Sequence, residues 1–212
     1  MIKKFLMSGA IALSSLTMAA ENMDTVLPAP DMKAGTGMME AFARRKSVRK
    51  FADSELSRQD LGNLLWAATG QNRPDGRLTA PSCRNFQEIR LFVFDRNGVS
   101  EYLPATHSLK HVADGDYRNL VAAGQDFVND APVSLVMIAD MTKFSNPDER
   151  ALMMAAVDAG IVSENISLAC AGLGLATVPR ATMKSAEIIS LLGLPDSHIA
   201  IMNNPVGFEQ KD

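Results

Sequence analysis

Pro132-Val133-Ser134-Leu135-Val136-Met137-Ile138-Ala139 is an apolar run of the length of one strand, interrupted by a single serine. Such a run is typical of a strand buried on both faces in the centre of a sheet. Before it, Glu88–Phe94 has two apolar faces, and Asp95-Arg96-Asn97-Gly98 turns the chain toward Val99–Leu103, which predicts a β-hairpin. After it, Arg150–Leu173 is apolar nearly all round, which predicts a helix buried in a domain core or a subunit interface.

The remaining predicted elements are four shorter helices and one strand. The helices are expected at Met38–Arg45, from the capping pattern Ser57-Arg58-Gln59-Asp60 to Gly70, at Arg118–Val128 and at Lys184–Leu192, and the strand at His198–Met202. Helices and strands are mixed without strict strand–helix–strand alternation. This order favours an α+β fold over a doubly wound sheet.

The N-terminus has the layout of a secretory signal peptide over residues 1–20. Lys3 and Lys4 precede an apolar run from Phe5 to Leu16, and Thr17-Met18-Ala19-Ala20 offers small residues for cleavage. The run is too short for a membrane-spanning helix. We therefore expect an exported, periplasmic protein with no stable membrane insertion after cleavage. The alternative is an N-terminal helix of a cytoplasmic protein.

The rest of the chain predicts one domain. Residues 21–37 contain several prolines and glycines and predict a tether, and residues 38–212 form the domain. A chain of 212 residues that is 47% hydrophobic and 21% charged is ordinary for one globular domain, and its net charge of −3 argues against a nucleic-acid partner. Of the two cysteines, Cys83 and Cys170, the second belongs to an apolar helical pattern, which favours a core thiol over a disulfide.

A cationic segment, Arg44-Arg45-Lys46-Ser47-Val48-Arg49-Lys50-Phe51, follows the first helix of the domain. Arg45, Ser47 and Arg49 alternate, so an extended backbone directs all three side chains to one side. Two guanidinium groups and a hydroxyl on one side can bind a phosphate, while Lys46 falls on the other side. The alternative is a solvated set of cations that complements the end of a helix.

A second segment, the carboxamide loop Pro81-Ser82-Cys83-Arg84-Asn85-Phe86-Gln87, precedes the hairpin. The side chains of Asn85 and Gln87 both donate and accept hydrogen bonds, which matches the N3–H between two carbonyls of a flavin ring. The alternative is a loop that bonds its own backbone, as Asn often does. Together, the cationic segment and the carboxamide loop suggest a phosphorylated ring cofactor.

Other motifs favour no further chemistry. Ala171–Ala176 contains G-L-G but follows a helix, so a helix C-cap is favoured over a dinucleotide fingerprint. His107, His111 and His198 are scattered and the cysteines lack ligand spacing, so we expect no metal site. No G-x-S-x-G turn supports a hydrolase.

The order of the motifs resembles the FMN-dependent nitroreductase family from about Met38 to Phe208. Five motifs carry the resemblance: Arg45-Lys46-Ser47-Val48-Arg49-Lys50-Phe51, the carboxamide loop Pro81–Gln87, Asp130-Ala131-Pro132, the helix from Asp158 to Gly174, and Val206-Gly207-Phe208. The resemblance implies an α+β sandwich in which helices flank a central, mainly antiparallel sheet. It also implies an intertwined homodimer with two FMN molecules at the subunit interface.

The resemblance further implies a cofactor site. Residues matching Arg45 and Ser47 bind the FMN phosphate, Arg49 lies by N1 and O2 of the ring, Asn85 bonds the pyrimidine edge, and Gln87 supports the loop. The full implied set is Arg45, Lys46, Ser47, Arg49, Pro81, Ser82, Cys83, Asn85, Gln87, Pro179, Arg180 and Ala181. No catalytic residue beyond the flavin is implied.

The implied activity is ping-pong hydride transfer from a reduced donor such as NAD(P)H to the flavin, and then to a nitroaromatic or quinone acceptor. The alternative is a non-catalytic, exported flavin-binding or carrier protein. Because NAD(P)H is a cytoplasmic reductant, the predicted export leaves the donor open.

Two positions depart from the family pattern. The chain ends at Gln210-Lys211-Asp212 with one cation where members commonly have several, which predicts a weaker phosphate grip or one aided by Arg44 or Arg84. Glu88-Ile89 stands where the family commonly has Pro-Trp.

Overall fold

The computed structural model describes residues 24–211, so the predicted signal peptide over residues 1–20 lies outside the described part. The strands are β1 (Thr25–Val26), β2 (Ile89–Phe94), β3 (Gly98–Leu103), β4 (Ser108–Asp114), β5 (Val133–Asp140), β6 (Ala176–Thr177) and β7 (His198–Gly207). The helices are α1 (Met38–Arg44), α2 (Arg58–Thr69), α3 (Arg118–Ala122), α4 (Phe127–Asp130), α5 (Glu149–Leu173) and α6 (Ser185–Leu191). Short 3₁₀ helices lie at Cys83–Asn85 and Met141–Lys143.

The strands form one sheet in the order β1-β4-β3-β2-β5-β7-β6, and each neighbouring pair is antiparallel. β2 directs apolar side chains to both faces of the sheet, which explains why helices cover both faces. Ile89, Leu91 and Val93 pack with residues of α2 and α5, whereas Phe92 and Phe94 pack with residues of α3, α4 and α6. The predicted α+β sandwich with an antiparallel sheet is therefore confirmed.

β5 is the central strand that its apolar run predicts. It lies between β2 and β7, and every residue from Val133 to Ala139 is buried. β7 is longer than predicted, since pairing continues beyond Met202 to Gly207. Pro205 has no N–H to donate, and it is tolerated because β6 pairs only with Val206 and Gly207 and does not reach it.

α5 is the long apolar helix of the core. The carboxylate of Asp148 accepts the Ala151 N–H at 2.9 Å and caps its first turn, and the helix ends at Gly174, which has a left-handed φ of 76°. α5 packs against α1, α2 and the sheet. By length and by a mean hydropathy of 1.3 it could cross a membrane. Its place between the sheet and two helices accounts for this apolar composition.

The segment predicted as a tether, residues 21–37, packs onto the domain over its described part. β1 adds to the edge of the sheet beside β4, and the buried Leu27 donates its N–H to His107 O at 3.0 Å. Thr36 N–H donates to Gly172 O, near the end of α5, also at 3.0 Å. The tether prediction is wrong for this part, because a segment with paired backbone groups and a buried leucine belongs to the domain.

The helix predicted at Arg118–Val128 is interrupted. Ala123 and Gly124 separate α3 from α4, and both are left-handed, with φ of 46° and 84°. A left-handed residue ends an α-helix. The prediction missed the break because alanine is a strong helix former and rarely takes this conformation.

Candidate functional site

The cationic segment runs beside the edge strand β6. Ser47 forms a parallel bridge with Thr177, and Val48 donates its N–H to Thr177 O at 2.9 Å. Val48 and Phe51 are buried and fix the segment to the domain. The backbone is thereby held extended, as the alternation of its side chains requires.

Three side chains of the cationic segment are exposed and available to a ligand. Among residues 24–211, the side chains of Arg45, Ser47 and Arg49 make no hydrogen bond or ion pair. Lys46 differs, because its Nζ donates to Glu209 Oε1 at 2.7 Å. Two guanidinium groups and a hydroxyl are therefore available to an anion, whereas Lys46, predicted as part of the cofactor set, is engaged elsewhere.

The carboxamide loop is a tight structure with three left-handed residues. Arg84, Asn85 and Gln87 have φ of 49°, 58° and 52°. Ser82 Oγ accepts the Gln87 N–H at 2.8 Å, and Gln87 Nε2 donates to Asn85 Oδ1 at 3.2 Å and to Gly76 O at 3.0 Å. Gln87 thus holds the loop together, and the exposed Asn85 keeps its side-chain N–H donors for a ligand.

The carboxamide loop is anchored on α5 through Asp158. Cys83 N–H donates to Asp158 Oδ2 at 2.7 Å. Pro81 is exposed, and Cys83 is half-buried with a free thiol. Neither Asp158 nor the neighbouring Glu88 belongs to the implied cofactor set. A carboxylate within an apolar helix is the sequence signal that Asp158 needs a polar partner, and the Cys83 N–H is that partner.

Arg180 was predicted beside the cofactor, but its side chain lies in the core. Nη1 donates to Val121 O at 3.0 Å and to Asn203 Oδ1 at 2.6 Å, and Nη2 donates to Ala122 O at 3.1 Å. These two carbonyls end α3, where a cation is favourable. Burial lowers the pKa of Arg180. The guanidinium holds α3 against β7, so at this position only the backbone remains available to a cofactor.

Within one chain, the two predicted halves of the site do not meet. The cationic segment lies over the C-terminal end of α5, where Lys46 and Cys170 line one small cavity. The carboxamide loop is instead anchored at Asp158, about 18 Å away along the helix axis at roughly 1.5 Å per residue. Pro179 and Ala181 belong to the first half, because they lie two and four residues after Thr177, which pairs with Ser47 and Val48.

A cavity of about 460 Å³ lies apart from both halves, between α2, α5 and the segment that precedes α1. Trp66, Asn63 and Asn165 line it, together with small and apolar side chains, and none of the predicted cofactor residues does. The candidate site is therefore defined by its uncommitted donors and not by the size of a cavity.

Comparisons with known proteins agree with this fold. Residues 42–208 match the model of the nitroreductase family. The crystal structure of a provisionally named nitroreductase from Ralstonia eutropha JMP134 has a TM-score of 0.84 and 30% identity, and the match covers 100% of this chain and 98% of that one. A provisionally named nitroreductase of Methanocaldococcus jannaschii is 28% identical over 178 residues, which are 79% of this chain and 89% of the relative. The FMN reductase (NAD(P)H) of Bacillus subtilis strain 168 is 23% identical over 173 residues, 74% of this chain and 60% of the relative. The chain belongs to the nitroreductase family.

Proposed function

We propose that this chain is an FMN-dependent oxidoreductase that takes electrons from a reduced donor such as NAD(P)H and passes them to a nitroaromatic or quinone acceptor. One observation carries the proposal: Arg45, Ser47 and Arg49 are exposed and uncommitted on one side of a segment that β6 holds extended. Such a set of donors fits a phosphate, bound by Arg45 and Ser47, and an electron-rich group beside it, bound by Arg49. The B. subtilis relative, an FMN reductase, supports the choice of FMN.

In this proposal, different residues bind different parts of FMN. Arg45 and Ser47 would donate hydrogen bonds to the phosphate, and the charge of Arg49 would favour an electron-rich group beside it. Asn85 donates to the pyrimidine edge, while Gln87 keeps the loop closed through Gly76 O and Asn85 Oδ1. FMN, when bound, supplies the electron transfer itself, and the chain supplies position and electrostatics.

We also propose that the two halves of the site come from two subunits of a homodimer. Two helices expose large apolar side chains: Met38, Met39 and Phe42 on α1, and Leu152, Met153 and Val157 on α5. An apolar face of this kind is typical of a subunit interface. A twofold axis that crosses α5 midway between Asp158 and Cys170 makes the two helices antiparallel, so Asp158 of one helix lies opposite Cys170 of the other. The carboxamide loop of one subunit then lies near the cationic segment of its partner.

The proposed activity predicts a flavin spectrum and a ping-pong rate law. Purified protein supplied with FMN is expected to be yellow, and its bound flavin is expected to bleach anaerobically with NADPH or NADH. Steady-state rates with a nitroaromatic are expected to give parallel double-reciprocal lines, because donor and acceptor react in separate half-reactions. Protein without flavin absorbance after FMN is added would contradict the proposal. Bound flavin that neither nucleotide bleaches would favour the carrier alternative.

For localisation, we propose export through the signal peptide predicted over residues 1–20. The intact mass of protein from the periplasmic fraction of a bacterial host is expected to correspond to a chain that begins at Glu21. Full-length protein that begins at Met1 and stays in the cytoplasmic fraction would contradict export. Export would also require an electron donor other than cytoplasmic NAD(P)H, so the donor assay and the mass measurement are to be interpreted together.

A further inference from the structure

Two carboxyl groups are buried side by side behind the carboxamide loop. Glu88 directly follows the loop and is 0% exposed, and no N–H or O–H group of residues 24–211 donates to either of its carboxyl oxygens. The carboxyl group that acts on it is that of Asp158 on α5, which is 5% exposed. Two adjacent buried carboxylates without a cation are strongly unfavourable. One of the two must therefore carry a proton.

The other charged groups near Glu88 do not relieve this conflict. Asp140 on β5 donates its N–H to Glu88 O at 2.9 Å, but its carboxylate accepts from Thr142 and lies 3.8 Å from His198 Nε2. Arg84, in the loop, is exposed and makes no ion pair within the described chain. Burial first, then a hydrogen bond shared with the Asp158 carboxyl and finally the charge of Asp158, raise the pKa of Glu88 to about 7. Glu88 is therefore the group that keeps a proton below about pH 7.

This proton matters for the loop because Asp158 is also its anchor. Asp158 Oδ2 accepts the Cys83 N–H at 2.7 Å, a short hydrogen bond that fixes the start of the loop. A proton on Glu88 turns one of its carboxyl oxygens into a donor for the Asp158 carboxyl, so the two carboxyls attract each other and Asp158 keeps its position at Cys83. The left-handed backbone of Arg84 and Asn85 follows in the chain, and such backbone persists only where surrounding contacts hold it.

We propose that Glu88 and Asp158 form a proton-sharing positioning pair that holds the carboxamide loop in its flavin-binding conformation and releases it when the proton is lost. The effect on flavin rests on the proposed function, whereas the effect on the loop does not.

The direction of the pH dependence follows from the raised pKa. Between the ordinary glutamate pKa of 4.5 and about 7, the folded protein keeps a proton that the unfolded chain has lost. Folding stability therefore falls as pH rises through this interval. Above it, Glu88 loses the proton that it shares with Asp158, and repulsion replaces the hydrogen bond between the two carboxyls, so the loop loosens and flavin is bound more weakly.

The experiment compares wild type with Glu88→Gln, which keeps the size and the donor of a protonated Glu88 but cannot ionise. Hydrogen-exchange protection of the Cys83 amide is measured in flavin-free protein, and the FMN Kd is measured by fluorescence, both from about pH 5.5 to pH 8.5. In wild type, the protection factor of the Cys83 amide is expected to fall about tenfold and the FMN Kd to rise by the same factor. This change is expected between one pH unit below and one pH unit above the midpoint of the transition, as for a single coupled proton. In Glu88→Gln, both are expected to stay flat at their low-pH values. The control is Glu187→Gln, which changes an exposed carboxylate of α6. Its Cys83 protection and FMN Kd are expected to depend on pH as they do in wild type.

The two measurements separate two kinds of failure. If Cys83 protection changes with pH in wild type and not in Glu88→Gln, the pair is supported even in a protein that binds no FMN. If Glu88→Gln keeps the pH dependence of wild type, the proposal is overturned. Should Glu88→Gln not fold, Asp158→Asn serves instead, because it removes the neighbouring charge. It is expected to shift the midpoint of the Cys83 transition to lower pH, and an unchanged midpoint would overturn the proposal.

Discussion

Arg45→Ala is expected to weaken FMN binding by roughly 30-fold, enough for the protein to lose its flavin during purification. A hydrogen bond from a charged donor to an ionised acceptor contributes about 2 kcal/mol, and each 1.4 kcal/mol is about tenfold in affinity. Arg45 has no other partner among residues 24–211, so its removal takes nothing from the fold. The thermal midpoint of the flavin-free protein is therefore expected to stay within a degree or two of wild type, as for other surface substitutions.

Lys46→Ala is the matched control for Arg45→Ala. It removes one positive charge from the next position, but the Lys46 ammonium is paired with Glu209 on the other side of the segment. The expected change in FMN Kd is at most a few-fold, because an exposed ion pair contributes little. Both Kd values are to be measured by fluorescence titration at constant salt. Equal losses for the two variants would show that general charge, and not the alternation of the cationic segment, governs binding.

Val157→Asp is expected to convert the proposed dimer into monomers and to abolish FMN binding with it. Val157 is 53% exposed in the single chain, on the apolar face of α5 with Met153. In a twofold interface across α5, the substitution buries two new carboxylates without cations, which costs several kcal/mol. Because the carboxamide loop is anchored at Asp158 and the cationic segment lies near Cys170, about 18 Å further along α5 at roughly 1.5 Å per residue, a monomer is expected to have only half of each site.

The control for Val157→Asp is Ser190→Asp, on the exposed surface of α6 and on the other face of the sheet. It is expected to stay dimeric and yellow. Sedimentation velocity gives the oligomeric state, and absorbance in the flavin bands gives the occupancy. A monomeric Val157→Asp that retains full flavin would contradict a site shared between subunits.

The fold was predictable where local pattern and tertiary packing agree. The alternating faces of β2 and the uniformly apolar β5 and α5 are signals that packing only reinforces. The strand β7 was cut short at Met202 because Pro205 normally excludes a central strand. Its tolerance depends on where β6 ends, which no local pattern contains.

The site was predictable only in part, for a similar reason. The alternation of Arg45, Ser47 and Arg49 is local, and the structure keeps it. The partner of Lys46 lies 163 residues away in sequence. The burial of the Arg180 guanidinium depends on the left-handed end of α3 at Ala123, a conformation that alanine propensity argues against. Neither could be inferred from its neighbours in sequence.

Subunit mixing tests the shared flavin site most directly. Arg45→Ala and Asn85→Ala chains, each with its own affinity tag, are co-expressed, and heterodimers are isolated through both tags. If one subunit supplies the cationic segment and its partner the carboxamide loop, each heterodimer has one site with both residues intact. The account then predicts wild-type FMN affinity at about half of the sites, although neither homodimer holds flavin. Heterodimers that bind no more FMN than the two homodimers would contradict it, because then both residues serve the same site from one chain.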